Sequence, residues 1–324
     1  MNKVSIIIPA FNASRFIEGT LASASAQSLT DIEIIVIDDC STDDTRELVL
    51  AAAGRDQRIR LIAQTRNGGP SVARNSGIDA AQGHWIALLD ADDRYTPDRL
   101  DKMVAVAERH DADLVTDNLL LVPEENPTHT RPMIHPAILG AERALDMREF
   151  VRRNIEDPEH PDTNYGFLKP IMRRTFLNDH AIRYDASVRF AEDFALYAQC
   201  LRLGAKWWMM PEPLYHYLVR TDSLTHVQTV HDLGKLRALQ ARMLDEARHD
   251  GDADLADLIR RHMTVVDRCY HYRAFTDDLK ARQFSPAIRR LFDSPRTAGL
   301  IAQESLRQMP VIAAKAFRGG YRRD

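Results

Sequence analysis

The chain has 324 residues, enough to bury a substantial apolar core in one domain or two. Its 43 basic and 47 acidic side chains leave a net charge of -4, which excludes the broad positive field of a protein built around nucleic acid. The three cysteines, Cys40, Cys200 and Cys269, lie far apart, fit no zinc spacing and leave an odd thiol over. A reducing cytoplasm without a disulfide framework is therefore the expectation.

Val4 to Ile8 is a mostly branched apolar run ending at Pro9, and Ile32 to Ile37 is a second, ending at Asp38-Asp39. Unbroken runs of this kind predict strands buried on both faces of a parallel sheet. The first run is too short for a signal peptide or a membrane span. No uninterrupted apolar stretch reaches the roughly 18 residues a span needs, so any membrane contact is expected to be peripheral. Between the two runs, Ser14 to Ala26 carries Phe16, Ile17 and Leu21 at helical spacing. Thr42 to Ala53 reads as a helix, Ile59 to Ala63 as a strand, Ser71 to Ala81 as a helix and Trp85 to Leu89 as a strand. Pro97 to His110 then reads as a helix and Leu114 to Leu121 as a strand. The alternation predicts a doubly wound, Rossmann-like α/β fold with a mostly parallel sheet. Pro123 to Pro136 carries four prolines and no periodicity, and reads as an exposed loop. Asn164 to Pro170 mixes aromatic and basic residues, and Glu192-Asp193 opens a helix expected to run through Leu203. From His231 onward the chain is charged and helix-forming, with no cluster that carries chemistry.

Ligands of open parallel sheets bind beyond the carboxyl ends of the strands. Pro9 to Asn12, Asp38-Asp39 and Asp90 to Asp93 all fall there. The first strand is not followed by a Gly-x-Gly-x-x-Gly turn, so a nucleotide's phosphates would need a cation instead. Asp90-Ala91-Asp92-Asp93 offers hard oxygen ligands of the kind that suit Mn²⁺ or Mg²⁺. On an extended segment Asp90 and Asp92 would point the same way. Taken alone, the triplet reads equally well as a helix cap or a solvated turn. Ser41 or Thr42 can cap a helix and leave Asp39 free for a base N–H or a ribose hydroxyl. Arg74 follows a Gly-Gly-Pro turn at a helix start, a place that favours anions, although a plain surface arginine looks the same. Glu192-Asp193 has a bland reading too, as an acidic first turn stabilised by the helix dipole.

Together, Ser5 to Asn12, Val36 to Asp43, Gly69 to Gly77 and Leu89 to Asp93 resemble the ordered motifs of family 2 glycosyltransferases with the GT-A fold. The resemblance covers residues 1–226, and Asn164 to Pro170 with Arg189 to Cys200 look like the succinoglycan-type exopolysaccharide branch. It implies a nucleotide-sugar-binding half over 1–121, an acceptor-binding and catalytic half over 122–226, and a helical C-terminal region over 227–324. It also implies that Pro9, Phe11, Asn12, Asp38, Asp39, Arg74 and Asp90 surround the donor, a UDP-sugar, and that Asp92 ligates the metal. His216 falls near a third metal ligand of some relatives, and a buried or surface histidine fits it equally. Glu192 and Asp193 match a catalytic pair whose second carboxylate is the base. Tyr165 and Lys169, like the loop at 123–136, are placed beside the acceptor by position alone.

The implied reaction is an inverting transfer of a hexose, glucose in this branch, to a lipid-diphosphate-linked oligosaccharide at the cytoplasmic face of the inner membrane. The tail Arg296 to Asp324 holds six basic and two acidic residues interleaved with apolar ones, a composition open to an interfacial helix or to a helix packed on its own domain. Two other functions compete: a sugar nucleotidyltransferase, which would need a glycine-rich phosphate loop that Pro9 to Ala13 lacks, and a catalytically silent nucleotide-sugar-binding scaffold.

Overall fold

The computed structural model describes residues 3–155, 163–188, 190–220 and 229–319, apart from the side chains of 136 and 310–319. The chain divides into two compact units, Met1–His226 and Val227–Asp324.

The first unit is built on strands β1 (Val4–Ala10), β2 (Ile32–Asp38), β3 (Ile59–Ala63), β4 (Trp85–Leu88), β5 (Arg94–Tyr95), β6 (Leu114–Pro123), β7 (Arg131–Pro132), β8 (Arg143–Leu145), β9 (Ile171–Arg173) and β10 (Trp207–Val219). Its helices are α1 (Ile17–Ser25), α2 (Thr45–Ala53), α3 (Pro70–Ala80), α4 (Arg99–Arg109), α5 (Pro136–Leu139), α6 (Met147–Arg152), α7 (Arg174–Asp179) and α8 (Glu192–Arg202). The strands form one sheet in the order β3-β2-β1-β4-β9-β6-β10-β5, with β7 on β6 and β8 on β10.

Pairing is parallel across β3-β2-β1-β4 and between β6 and β10. Every residue of β2 is buried, as expected for a strand covered on both faces. α3 lies so close to β1 that a Cβ on Gly77 would come within 2.3 Å of Ile7 Cγ2, so only glycine fits there.

Short β9 runs antiparallel to both β4 and β6. Its beginning therefore lies at the edge where the parallel strands end, which brings the residues just before it to the ligand-binding side. Three residues are too few for a periodic signal, so the sequence does not reveal this strand. β10 is hidden for another reason: its register shifts between Met209 and Pro213 and again before Tyr215, and such irregularities accommodate Pro211 and Pro213. The expected loop at 123–136 contains β7, which pairs Pro132 with Leu120. The α2 helix begins at Thr45 instead of Thr42, because Asp43 takes the Thr45 N–H at 3.1 Å and ends the preceding turn.

The second unit contains α9 (Val230–His249), α10 (Ala253–Lys280), α11 (Phe284–Asp293) and α12 (Pro295–Gly319). Thr229 and Asp252 cap α9 and α10 by accepting the N–H groups of Asp232 and Leu255. Leu300 and Ile301 on α12 are buried, so the start of the tail helix packs on its own unit. No helix among the described residues is long and apolar enough to cross a membrane.

Candidate active site

The loops leaving β1 and β2 are tied together. Asn12, in a left-handed conformation at φ 49°, donates its N–H to Ser41 Oγ at 3.0 Å and accepts the Thr42 N–H at 2.8 Å. Ser41 and Thr42 thus brace this loop and do not cap α2. Phe11 beside them is 49 % exposed, open to stack on a planar ligand, and Pro9 is half-buried.

Asp38 and Asp39 do not stand free. Asp38 is fully buried and accepts the Ser41 N–H and the Arg46 guanidinium at 2.8 Å. Burial acts to raise its carboxyl pKa, but the Ser41 and Arg46 bonds outweigh it and the net shift is downward. Enclosed in this way, Asp38 braces the strand end and does not present a ligand surface, which corrects its expected place beside the donor. Asp39 is 3 % exposed, and its two oxygens accept the backbone N–H groups of Gly68 and Gly69 at 2.8 and 2.7 Å. It therefore shapes the turn before α3, and only its remaining lone pairs are left for a ligand.

Asp90 to Asp93 form a turn closed by the Asp93 N–H to Asp90 carbonyl bond at 3.0 Å, not an extended segment. The three carboxylates consequently diverge. Asp93 points inward, where it accepts the Tyr215 hydroxyl at 2.6 Å and the Leu218 N–H at 2.7 Å. Burial, then the charges of Asp92 and Asp90, push its pKa well up. Asp90 lies between two cations, Arg74 at 3.0 Å and Lys169 at 3.1 Å. Burial opposes its ionisation, but Lys169 and Arg74 prevail and hold the carboxyl far below the ordinary range. Asp92 remains at the rim, with Arg220 3.0 Å away. Burial and the Asp90 charge raise its pKa against the pull of Arg220.

The same two cations reach Glu192 and Asp193 at the start of α8. Arg74 Nη1 is 2.7 Å from Glu192 and 3.8 Å from Asp193, while Lys169 Nζ donates to Asp193 Oδ2 at 2.9 Å. The Tyr184 hydroxyl donates to Asp193 Oδ1 at 2.8 Å. The turn after β4 and the first turn of α8 are thus joined by one buried network of two cations and three carboxylates. Removing either cation would leave buried carboxylates uncompensated. Arg99 supports the network from behind: fully buried, it holds Asp117 at 2.8 and 2.9 Å and donates to the Lys169 carbonyl at 2.5 Å.

This geometry corrects four expectations. Arg74 is not a surface cation waiting for phosphate, because its side chain is 6 % exposed and committed to carboxylates. Lys169, 3 % exposed, bridges Asp90 and Asp193 and is not an open acceptor contact. Tyr165 is fully buried, with its hydroxyl 3.2 Å from Arg143, so it cannot touch an acceptor as arranged here. His216 follows Tyr215 along β10, so strand alternation turns it from the face on which Tyr215 meets Asp90 and Asp93. Arg99, Asp117, Tyr184, Tyr215 and Arg220 carry no motif, and nothing in their local sequence marks them.

Among the described residues there is no group of three or more His, Cys, Asp or Glu side chains fit to hold a metal ion. The carboxylate at the rim, Asp92, nevertheless suits a hard divalent cation that takes most of its ligands from diphosphate and water, as Mg²⁺ commonly does. Asp92 is the residue that would hold it.

The Glycosyl transferase family 2 profile matches residues 5–177. The succinoglycan biosynthesis protein ExoO of Rhizobium meliloti is 34 % identical over 293 residues, covering 90 % of this chain and 82 % of that protein. ExoU of the same organism is 32 % identical over 95 % of this chain and 89 % of its own length. Among solved structures, S. aureus TarS 1-349 in complex with UDP-GlcNAc superposes with a TM-score of 0.66 at 19 % identity, over 94 % of this chain and 92 % of that one. The mannosyltransferase PcManGT from Pyrobaculum calidifontis, in complex with GDP-Man and Mn²⁺, gives 0.60 at 18 % identity over 99 % and 81 %. At these identities the structural likeness establishes the GT-A fold.

Proposed function

The chain belongs to glycosyl transferase family 2, and from that premise we propose that it is an inverting hexosyltransferase of exopolysaccharide biosynthesis. The donor is a UDP-hexose, glucose in the first instance, and the acceptor is an oligosaccharide carried on a lipid diphosphate at the cytoplasmic face of the membrane. The observation that carries the reading is the buried bridge of Lys169 and Arg74 between Asp90 and the pair Glu192-Asp193. It couples the carboxylates of the donor edge to a carboxylate able to act as a base.

In this reading Phe11 and Pro9 border the uracil, and the turn held by Asp39 borders the ribose. Asp193 takes the proton of the acceptor hydroxyl as that oxygen attacks the anomeric carbon and the bond to the diphosphate breaks on the opposite side. Lys169 and Tyr184 fix the direction in which Asp193 accepts. Arg74 and Lys169 keep Asp90 ionised beside the leaving group. A Mg²⁺ or Mn²⁺ ion at Asp92, when bound, would offset the charge that gathers on the departing UDP. The names of ExoO and ExoU support the pathway, and the TarS complex supports a uridine donor.

The test is UDP release across a panel of UDP-hexoses with Mn²⁺ or Mg²⁺, with and without extracted lipid-linked acceptor. Asp92→Asn should lose metal-dependent UDP binding. Asp193→Asn should keep donor binding and lose transfer by about a hundredfold or more. Full activity in either variant removes its assigned role, and no release from any donor overturns the reading.

A further inference from the structure

The second unit carries an apolar stripe that its own packing does not use. On α11, Phe284, Ile288 and Phe292 are 60, 55 and 83 % exposed. Their spacing of four residues aligns them along one side of the helix. Fully buried Ala287 and half-buried Leu291, on the adjoining edge of the same apolar face, hold the helix to its unit and leave Phe284, Ile288 and Phe292 outward. Leu279, at the end of α10, adds a further partly exposed apolar side chain ahead of the stripe.

The surroundings are cationic, although the chain as a whole carries a net charge of -4. From 279 to 293 there are four basic residues, Lys280, Arg282, Arg289 and Arg290, against one acidic residue, Asp293. Arg290 is paired with Asp278 at 2.6 Å, whereas Lys280, Arg282 and Arg289 are exposed. Two aromatic residues and an isoleucine on one side of a helix, flanked by exposed cations, match the composition of helices that lie in the plane of a membrane interface. A second copy of the chain is a poorer occupant. A twofold contact through the same stripe would bring Arg282 and Arg289 towards their own copies.

We propose that the Phe284-Ile288-Phe292 face of α11 lies in the headgroup region of an anionic bilayer, with Arg282, Arg289 and Lys280 on the lipid phosphates. The surface differs from the expected tail, whose helix α12 begins by packing Leu300 and Ile301 inward. Its purpose rests on the lipid-borne acceptor proposed above, but its test does not.

The full chain is floated with vesicles of phosphatidylglycerol and phosphatidylcholine, or of phosphatidylcholine alone, at low and high salt. Binding is expected to the anionic vesicles and to weaken with salt. Replacing Phe284, Ile288 and Phe292 together by Ser should lower the bound fraction at least about tenfold. R282E with R289E should do the same, each variant keeping the wild-type melting temperature. Undiminished vesicle binding by the folded triple variant overturns the proposal. So does a wild-type chain that binds no vesicles but forms a dimer, by light scattering, that the triple variant loses. UDP release is measured in parallel: vesicle binding without release from any donor would sink the transferase reading alone, and release without vesicle binding would sink the membrane face alone.

Discussion

In the unit Met1–His226 the buried charges converge, with Arg74 and Lys169 holding Asp90, Glu192 and Asp193 at one edge of the sheet. In Val227–Asp324 they are dispersed. Arg268 meets Glu304 at 2.6 Å, Arg237 meets Asp267 at 2.7 Å, and His262 sits 2.9 Å from the Gln240 side chain. Dispersed pairs pin one helix to another and can give way singly. A convergent cluster has to be kept whole, because Arg74 and Lys169 each compensate more than one carboxylate. Buried ion pairs are weak contributors to stability, so a cluster of this kind at a strand edge is better explained by what it positions than by what it stabilises.

The sharpest way to break the contrast is Lys169→Met. It leaves Asp90 and Asp193 with Arg74 alone, without the cation nearer to Asp193, and should cost about 3–5 kcal/mol, measured by urea unfolding. In an Asp193→Asn background the same change should cost less, since one of the two stranded charges is gone. Equal costs in both backgrounds would mean that the cluster is not coupled.

The second unit should instead respond to pH chiefly through buried His262, with a further part from half-buried His271, whose pKa burial also lowers. Burial pushes the His262 pKa down to about 4. The folded unit therefore resists a proton that the unfolded chain accepts near 6.5. The associated stability is present above about pH 6.5 and is lost as pH falls towards 4, roughly 3 kcal/mol in all. Hydrogen exchange of α10 amides in the full chain, corrected for intrinsic rates, should show this fall, and His262→Gln should remove most of it, leaving the part due to His271. A flat profile in the wild type would remove His262 from that role.

The smallest effect is expected from Tyr184→Phe, which deletes one hydrogen bond to Asp193. It should lower kcat about tenfold while leaving the KM for the donor near its wild-type value. A change confined to KM would place Tyr184 in donor binding instead.

The long parallel strands were legible because each is dominated by apolar, mostly branched residues, and the helices between them because their apolar spacing is local. β9 was too short and β10 too interrupted by proline to show a period. In the site, Asp90, Asp92 and Asp193 stood out as short acidic motifs after a strand or at a helix start. What Arg74 and Lys169 do there was not legible. Arg74 finds Glu192 across 118 positions, Lys169 receives Arg99 across 70, and Tyr215 reaches Asp93 across 122. No local window contains both partners. Tyr165 and His216 were misplaced for the same reason, since neighbours in sequence say little about which face of an element a side chain occupies once other elements pack against it.

Hydrophobic periodicity acts over a few residues, so the alternating α/β order, and with it the edge at which polar residues gather, can be read along the chain. Which of the gathered carboxylates are already paired depends on contacts between distant segments. Burial makes each charge seek a partner wherever in the chain one can be brought, so Asp38 goes to Arg46, Asp39 to the Gly68-Gly69 turn and Asp93 to Tyr215. Asp92 is left at the rim, beside Arg220.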